Sequence, residues 1–146
     1  MQKRQVFNPF LPLNEYIPDG EPHVFGDRVY IYGSHDKEGG YTFCMQDYVT
    51  YSAPVNDLSD WRYEGVIYKA SQDSRYPNPQ YLFAPDVVQG NDGKYYLYYQ
   101  AFSEMSGKRG DDCPVTMSYS DSPDGPWTPV SRVVIPNGKE GEWDQF

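Results

Sequence analysis

Apolar and polar positions alternate over short stretches of this 146-residue chain, and no window sustains the 3.6-residue spacing of an amphipathic helix. Gly, Pro, Asn and Asp interrupt the pattern too often for long helices. The alternation predicts strands over 23–25, 28–34, 41–46, 49–55 and 62–68, then a second set over 86–90, 94–102, 115–121 and 128–135. Gly26-Asp27 and Asn91-Asp92-Gly93 read as hairpin turns, where a tight loop needs positive φ. Tyr30-Ile-Tyr32 and Tyr95-Tyr-Leu-Tyr-Tyr99 are apolar enough to be buried on both faces, as in the middle of a sheet held between other sheets.

The two sets of strands repeat one another. Tyr30 and Tyr96, Val49 and Val115, and Trp61 and Trp127 are each 66 residues apart. A fixed period of this length marks stacked supersecondary units. Four antiparallel strands per unit match the blade of a β-propeller, which closes only with at least about four blades. The expected class is therefore all-β, with blade one at about 19–68 and blade two at about 86–135. The polar, Pro-containing stretch 69–81 is the crossover between them, and 104–112 is a second polar loop. Residues 136–146 read as the lead-in to a third blade, so the chain is expected to be part of a larger domain. Each unit starts near a Pro-associated acid, Asp19 in the first and Asp86 in the second. Their spacing places them at corresponding positions of successive blades, turned towards one axis.

Composition adds partners and exclusions. Fifteen Tyr, seven Phe and three Trp are more aromatic residues than the core alone would use, so some are expected on a binding surface. A net charge of −9, with no Lys/Arg cluster, argues against a nucleic-acid partner. No apolar run approaches the ~20 residues that span a bilayer. The start, Met-Gln-Lys-Arg-Gln-Val-Phe, lacks the apolar segment of a secretory signal, which predicts a cytoplasmic protein unless a signal has been removed. Cys44 and Cys113 show neither metal spacing nor a disulfide framework and are read as small buried residues.

The motifs resemble those of glycoside hydrolase family 43, the β-xylosidase, α-L-arabinofuranosidase, arabinanase and xylanase group. The resemblance rests on Asn8-Pro-Phe-Leu-Pro12, Ile17-Pro-Asp-Gly-Glu-Pro-His-Val-Phe25 and Tyr30-Ile-Tyr-Gly-Ser-His-Asp36 in the first unit. Ala84-Pro-Asp-Val87 and Lys94-Tyr-Tyr-Leu-Tyr-Tyr99 carry it in the second, with Asp60-Trp61 and Ser122-Pro-Asp-Gly-Pro-Trp127 at the turns. It implies a five-bladed β-propeller, of which this chain supplies the first two blades, and hydrolysis of xylan- or arabinan-type glycosides with inversion. Inversion uses a carboxylate base and a protonated carboxyl ~6.5–9.5 Å apart, with water between them.

By motif position the resemblance makes Asp19 the general base and Asp86 the third carboxylate, which raises the pKa of the acid and orients it. The family places Pro directly after the base, whereas Gly20 follows Asp19 here, so Glu21 is the second candidate. The family's general acid is a Glu of a later blade and matches no position in this chain. The isolated chain is therefore expected to be inactive. The alternative is a non-catalytic fragment that only binds carbohydrate or another chain.

Ser34-His35-Asp36 reads either as a strand-ending Asx turn or as a pocket wall with His35 or Asp36 beside sugar hydroxyls. Phe83 reads as a sugar-stacking ring or a core residue, and Tyr41, Phe43 and Tyr51 as packing or edge aromatics. No cofactor is expected. A central-channel calcium occurs in the family, but its usual ligands would fall mostly in later blades. The expected partners are a pentose-containing saccharide, the later blades of the same domain, or a second copy.

Overall fold

The structure, a computed structural model, describes residues 9–73, 81–102 and 115–132. These form eight strands: β1 (Glu21–Phe25), β2 (Arg28–Tyr32), β3 (Tyr48–Pro54), β4 (Arg62–Tyr68), β5 (Tyr81–Gln89), β6 (Tyr95–Phe102), β7 (Thr116–Ser120) and β8 (Thr128–Arg132). One 3-10 turn, Ala70–Gln72, follows β4. The strands make two four-stranded antiparallel sheets, β1-β2-β3-β4 and β5-β6-β7-β8, so each sequence repeat is one meander.

Both expected hairpin turns form. Phe25 pairs with Arg28 across Gly26-Asp27, with Gly26 at φ 62°. A glycine with positive φ at the first position of a two-residue loop gives the twist that antiparallel strands need. The second hairpin is closed by the Gly90 N–H donating to the Lys94 carbonyl at 2.8 Å, with Gly93 at φ 82°.

Two strand expectations are corrected. Residues 41–46 are not a strand, although Tyr41, Phe43 and Met45 alternate as in one. Cys44 is left-handed at φ 57°, and its N–H donates to Asp36 Oδ1 at 2.6 Å, so a side chain takes the donor that a ladder would use. Tyr41 and Phe43 are left 76% and 65% exposed, whereas Tyr51 is buried. The second sheet begins at Tyr81 rather than at position 86. Tyr81, Leu82 and Phe83 already pair with Phe102, Ala101 and Gln100 before a bulge at Ala84 and Pro85. Proline lacks the ladder donor and is tolerated at a bulge, so here it marks an interruption rather than a strand start. Of the loop expected over 69–81, the part from 74 to 80 lies outside the described residues. So do Cys113, the loop 104–112 and the segment 136–146.

The sheets meet through tyrosines. Tyr48, Tyr68 and Tyr99 are fully or almost fully buried beside Leu82, Val87, Leu97 and Trp127. The Tyr68 and Tyr99 rings lie 4.8 Å apart, and Phe25 meets Tyr95 edge-on at 5.0 Å. Four buried phenols find partners across the two sheets. Tyr48 donates to the Phe83 carbonyl at 2.8 Å and Tyr32 to the Pro123 carbonyl at 2.7 Å. The Tyr68 and Tyr99 hydroxyls bond each other at 2.5 Å, and Tyr99 reaches buried Asp73 Oδ2 at 3.2 Å.

Tyr48→Phe fills the same space while removing the donor to Phe83. It should lower stability by about 1–2 kcal/mol, read from urea denaturation, because a buried carbonyl loses its partner.

Burial also resists ionisation. Desolvation pushes the Cys44 thiol up to about 11 and holds the Tyr32, Tyr48 and Tyr99 phenols above their ordinary value. These groups ionise when neutral becomes anionic, so the unfolded chain loses their protons first. It then binds fewer protons than the folded chain, and stability falls as pH rises. The loss should begin above the unfolded thiol value of about 8.5 and steepen near pH 10. Thermal melts from pH 7 to 11 check this: a midpoint that does not fall above pH 9 contradicts it.

Candidate functional site

The site is built where the first strands of the two sheets touch through one pair of side chains. His23 of β1 donates from Nε2 to Asp86 Oδ1 of β5 at 2.5 Å. The His23 ring is steadied by Phe25, stacked at 5.8 Å, and by Tyr32 at 6.1 Å. Asp86 Oδ1 also accepts the Val87 N–H at 2.8 Å, yet the Asp86 side chain stays 55% exposed. It is a carboxylate fixed in direction and open to water.

Asp86 owes its place to the bulge. Phe83 pairs with Gln100 and Asp86 with Tyr98, so two residues of β5, Ala84 and Pro85, have no ladder partner. Ala84 stands at φ 40°, a conformation a residue with a Cβ holds only when its surroundings enforce it. Here Ser34 does so: its Oγ accepts the Ala84 N–H at 2.8 Å.

Ser34 in turn is held by Asp19. Asp19 Oδ1 accepts the Ser34 N–H at 2.5 Å, and Oδ2 accepts the Ser34 hydroxyl proton at 2.6 Å. Ser34 is 2% exposed, so this hydroxyl works inside the protein. Gly33 makes the approach possible, because a Cβ there would lie 2.4 Å from Ile17 Cγ2 and 3.1 Å from Asp19 Oδ1. The chain Asp19–Ser34–Ala84 thus joins the segment before β1 to the bulge before Asp86.

This geometry corrects the expectation that Asp19 and Asp86 occupy corresponding positions. Glu21 pairs with Tyr32 and Asp86 with Tyr98, and Tyr32 and Tyr98 are themselves one 66-residue repeat apart. The register counterpart of Asp86 is therefore Glu21. Asp19 lies two residues earlier, against Ser34.

The other predicted site residues point into the scaffold. His35 is 8% exposed; its Nδ1 donates to the Asp47 carbonyl at 2.9 Å. Its Nε2 then accepts from Gln46 Nε2 at 3.3 Å and faces Glu15 Oε2 at 3.7 Å. Asp36 caps Cys44 through Oδ1, while its own N–H donates to the Tyr16 carbonyl at 2.9 Å. Both residues hold the loop between β2 and β3. Phe83 is half-buried beside the bulge, its carbonyl taken by Tyr48. The structure thus joins Asp19 to Asp86 through intermediaries and leaves His35 and Asp36 as ties of a loop.

Sequence reasoning missed His23 and Ser34. His23 sat inside a quoted motif, and its alternation with Glu21 on β1 was the available signal. In the sequence Ser34 stands out only as part of a Ser-His-Asp run. Among the described residues, no group of three or more His, Cys, Asp or Glu side chains is placed to hold a metal ion.

Comparison with known proteins gives this geometry its setting. Residues 8–145 match the profile of Glycosyl hydrolases family 43. The chain is 48% identical to a xylosidase/arabinosidase of Thermoclostridium stercorarium over 99% of its own length and 30% of that protein's. It is 35% identical to xylosidase/arabinosidase 43A of Humicola insolens, covering 85% of this chain and 38% of the relative. It therefore spans about a third of the length of these relatives. Among solved structures it resembles CoXyl43, a β-xylosidase/α-arabinofuranosidase from a compost microbial metagenome in complex with xylotriose. That match has a TM-score of 0.66 and 30% identity over 90% of this chain and 39% of CoXyl43. The GH43_1 enzyme from Xanthomonas citri complexed with xylose is similar, with a TM-score of 0.65 and 26% identity over 86% of this chain and 35% of that one. From the profile match and these identities, the chain belongs to glycosyl hydrolase family 43.

Proposed function

We propose that this chain forms the first two blades of a five-bladed propeller that hydrolyses β-xylosidic or α-arabinofuranosidic bonds with inversion. The observation that carries the reading is the solvent-open Asp86 carboxylate at the meeting of two first strands, in a chain 48% identical to a xylosidase/arabinosidase. Propeller packing turns successive first strands towards one axis, so a ligand there meets carboxylates from several blades.

In this reading a first-blade carboxylate takes a proton from water as the water attacks the anomeric carbon. The bond to the leaving oxygen breaks, and a carboxylic acid from a later blade gives that oxygen its proton. Asp86 acts on the acid. A negative charge held near a carboxyl disfavours its ionisation and keeps it protonated near neutral pH. His23 keeps Asp86 directed while leaving its second oxygen for the acid or a sugar hydroxyl.

Assays of the intact protein on aryl β-xyloside and aryl α-arabinofuranoside should show turnover on at least one. Proton NMR of the first-formed sugar should show the inverted anomer, and retention would overturn the mechanism. Asp86→Asn should lower kcat by about 10²–10⁴-fold, the usual worth of acid–base assistance. It should also move the alkaline limb of the pH profile to lower pH, because the acid loses the charge that keeps it protonated. The 146-residue chain alone should show no turnover above buffer.

A further inference from the structure

We propose that Ser34 is a positioning residue of the reaction, whose buried hydroxyl aims the Asp19 carboxylate and locks that aim to the second blade. The inference rests on the glycosidase reading, in which Asp19 is the water-activating carboxylate, and adds the group that sets its direction.

A general base works only when one of its lone pairs reaches the water it activates. Asp19 lies in the segment before β1 and is exposed, so its side chain needs a fixed partner to keep one direction. Ser34, just beyond β2, supplies that partner twice. Its N–H donates to Oδ1 at 2.5 Å and its hydroxyl to Oδ2 at 2.6 Å. Two bonds from one residue to both oxygens fix the plane of the carboxylate. An ionised carboxylate accepts about four hydrogen bonds, so each oxygen keeps a lone pair for water.

The Ser34 hydroxyl is itself kept from turning. Ser34 is 2% exposed, and its Oγ accepts the Ala84 N–H at 2.8 Å. With an amide proton facing its oxygen, the single hydroxyl proton is directed to Asp19. Amide, hydroxyl and carboxylate then form one polarised chain in which each bond strengthens the next.

The amide end of that chain belongs to the other sheet. Ala84 follows Phe83 in the bulge of β5, and Tyr48 of the first sheet holds the Phe83 carbonyl at 2.8 Å. Phe83 is the ring that the sequence offers as a sugar-stacking wall. Ser34 and Tyr48 together therefore set the base of one blade against that wall of the next. The assembly is tight: a Cβ on Gly33 would come within 3.0 Å of Gly20 Cα, beside Asp19.

A double-mutant cycle on the intact protein with an activated aryl pentoside tests this. Ser34→Ala should lower kcat by about 10–10²-fold, the cost of misplacing a reacting group by about 1 Å, and leave KM within about twofold. Asp19→Ala removes the base, and azide should restore part of its turnover. The azide anion attacks the anomeric carbon with its own electron pair, and the leaving oxygen departs with the pair of the broken bond. No base takes part, so adding Ser34→Ala to Asp19→Ala should cost about twofold or less. The comparison is made with and without azide, so residual turnover reads the cycle even where azide restores nothing. Ser34→Cys, close in volume but a weak donor, should match Ser34→Ala and replaces it should the alanine variant fail to fold.

Equal losses in the two backgrounds would mean that Ser34 only supports the fold, and would overturn the positioning role. So would wild-type kcat in Ser34→Ala, or an effect confined to KM. A wild-type protein without turnover on any aryl pentoside would instead refute the glycosidase reading. The network is then judged by amide exchange, which should quicken at Ala84 in Ser34→Ala and at Ser34 in Asp19→Ala. Unchanged exchange at both amides would refute it.

Discussion

A phenol buried between two sheets must find an acceptor, and the arrangement of this molecule depends on where those acceptors are. Tyr32 and Tyr48 leave the first sheet for carbonyls of the second, at Pro123 and Phe83. Tyr68 of the first sheet meets Tyr99 of the second, and buried Asp73 lies within reach of that pair. Apolar contact alone would let two sheets slide. Directional bonds from buried hydroxyls set one relative position, at the cost of needing each of them satisfied. The Tyr48 bond has a further consequence, because its acceptor is the carbonyl of Phe83, the residue just before the bulge.

The bulge is thus held from two sides. Tyr48 secures Phe83, Ser34 secures Ala84, and Asp86 emerges beyond them with His23 against it. All three restraints come from the first sheet or its connections. An exposed carboxylate ordinarily samples several rotamers, whereas this one is fixed while remaining open to water. Such preorganisation is what electrostatic control of a neighbouring acid requires. The wider chemistry fits a family in which sugar-bound relatives such as CoXyl43 are known with xylotriose.

Much of the fold was legible because period and turn chemistry are local properties. Trp61 and Trp127, the paired tyrosine strands and the Gly26 and Gly93 turns sufficed to place two four-stranded units. The alternation of Tyr41, Phe43 and Met45 misled, since nothing local shows that Asp36 takes the Cys44 N–H. Pro85 misled similarly by reading as a start when the strand had begun at Tyr81. The site was harder to read. Counting along the chain equated Asp19 with Asp86, but the turn at 91–93 is one residue longer than the turn at 26–27, so register differs from count. The Ala-Pro-Asp-Val motif marks Asp86. The service of Ser34 to Ala84, 50 residues later, is a tertiary contact that neither motif nor periodicity encodes.

A crystal structure of the intact protein with xylose bound tests the central claim most directly. The account predicts the sugar at the exposed end of β1 and β5. A water on its anomeric side should lie within about 3 Å of a first-blade carboxylate, the reach of a general base. Asp19 should remain on Ser34, and Asp86 on His23. A sugar seated instead in the groove beside His35, Lys37 and Tyr63 would contradict it.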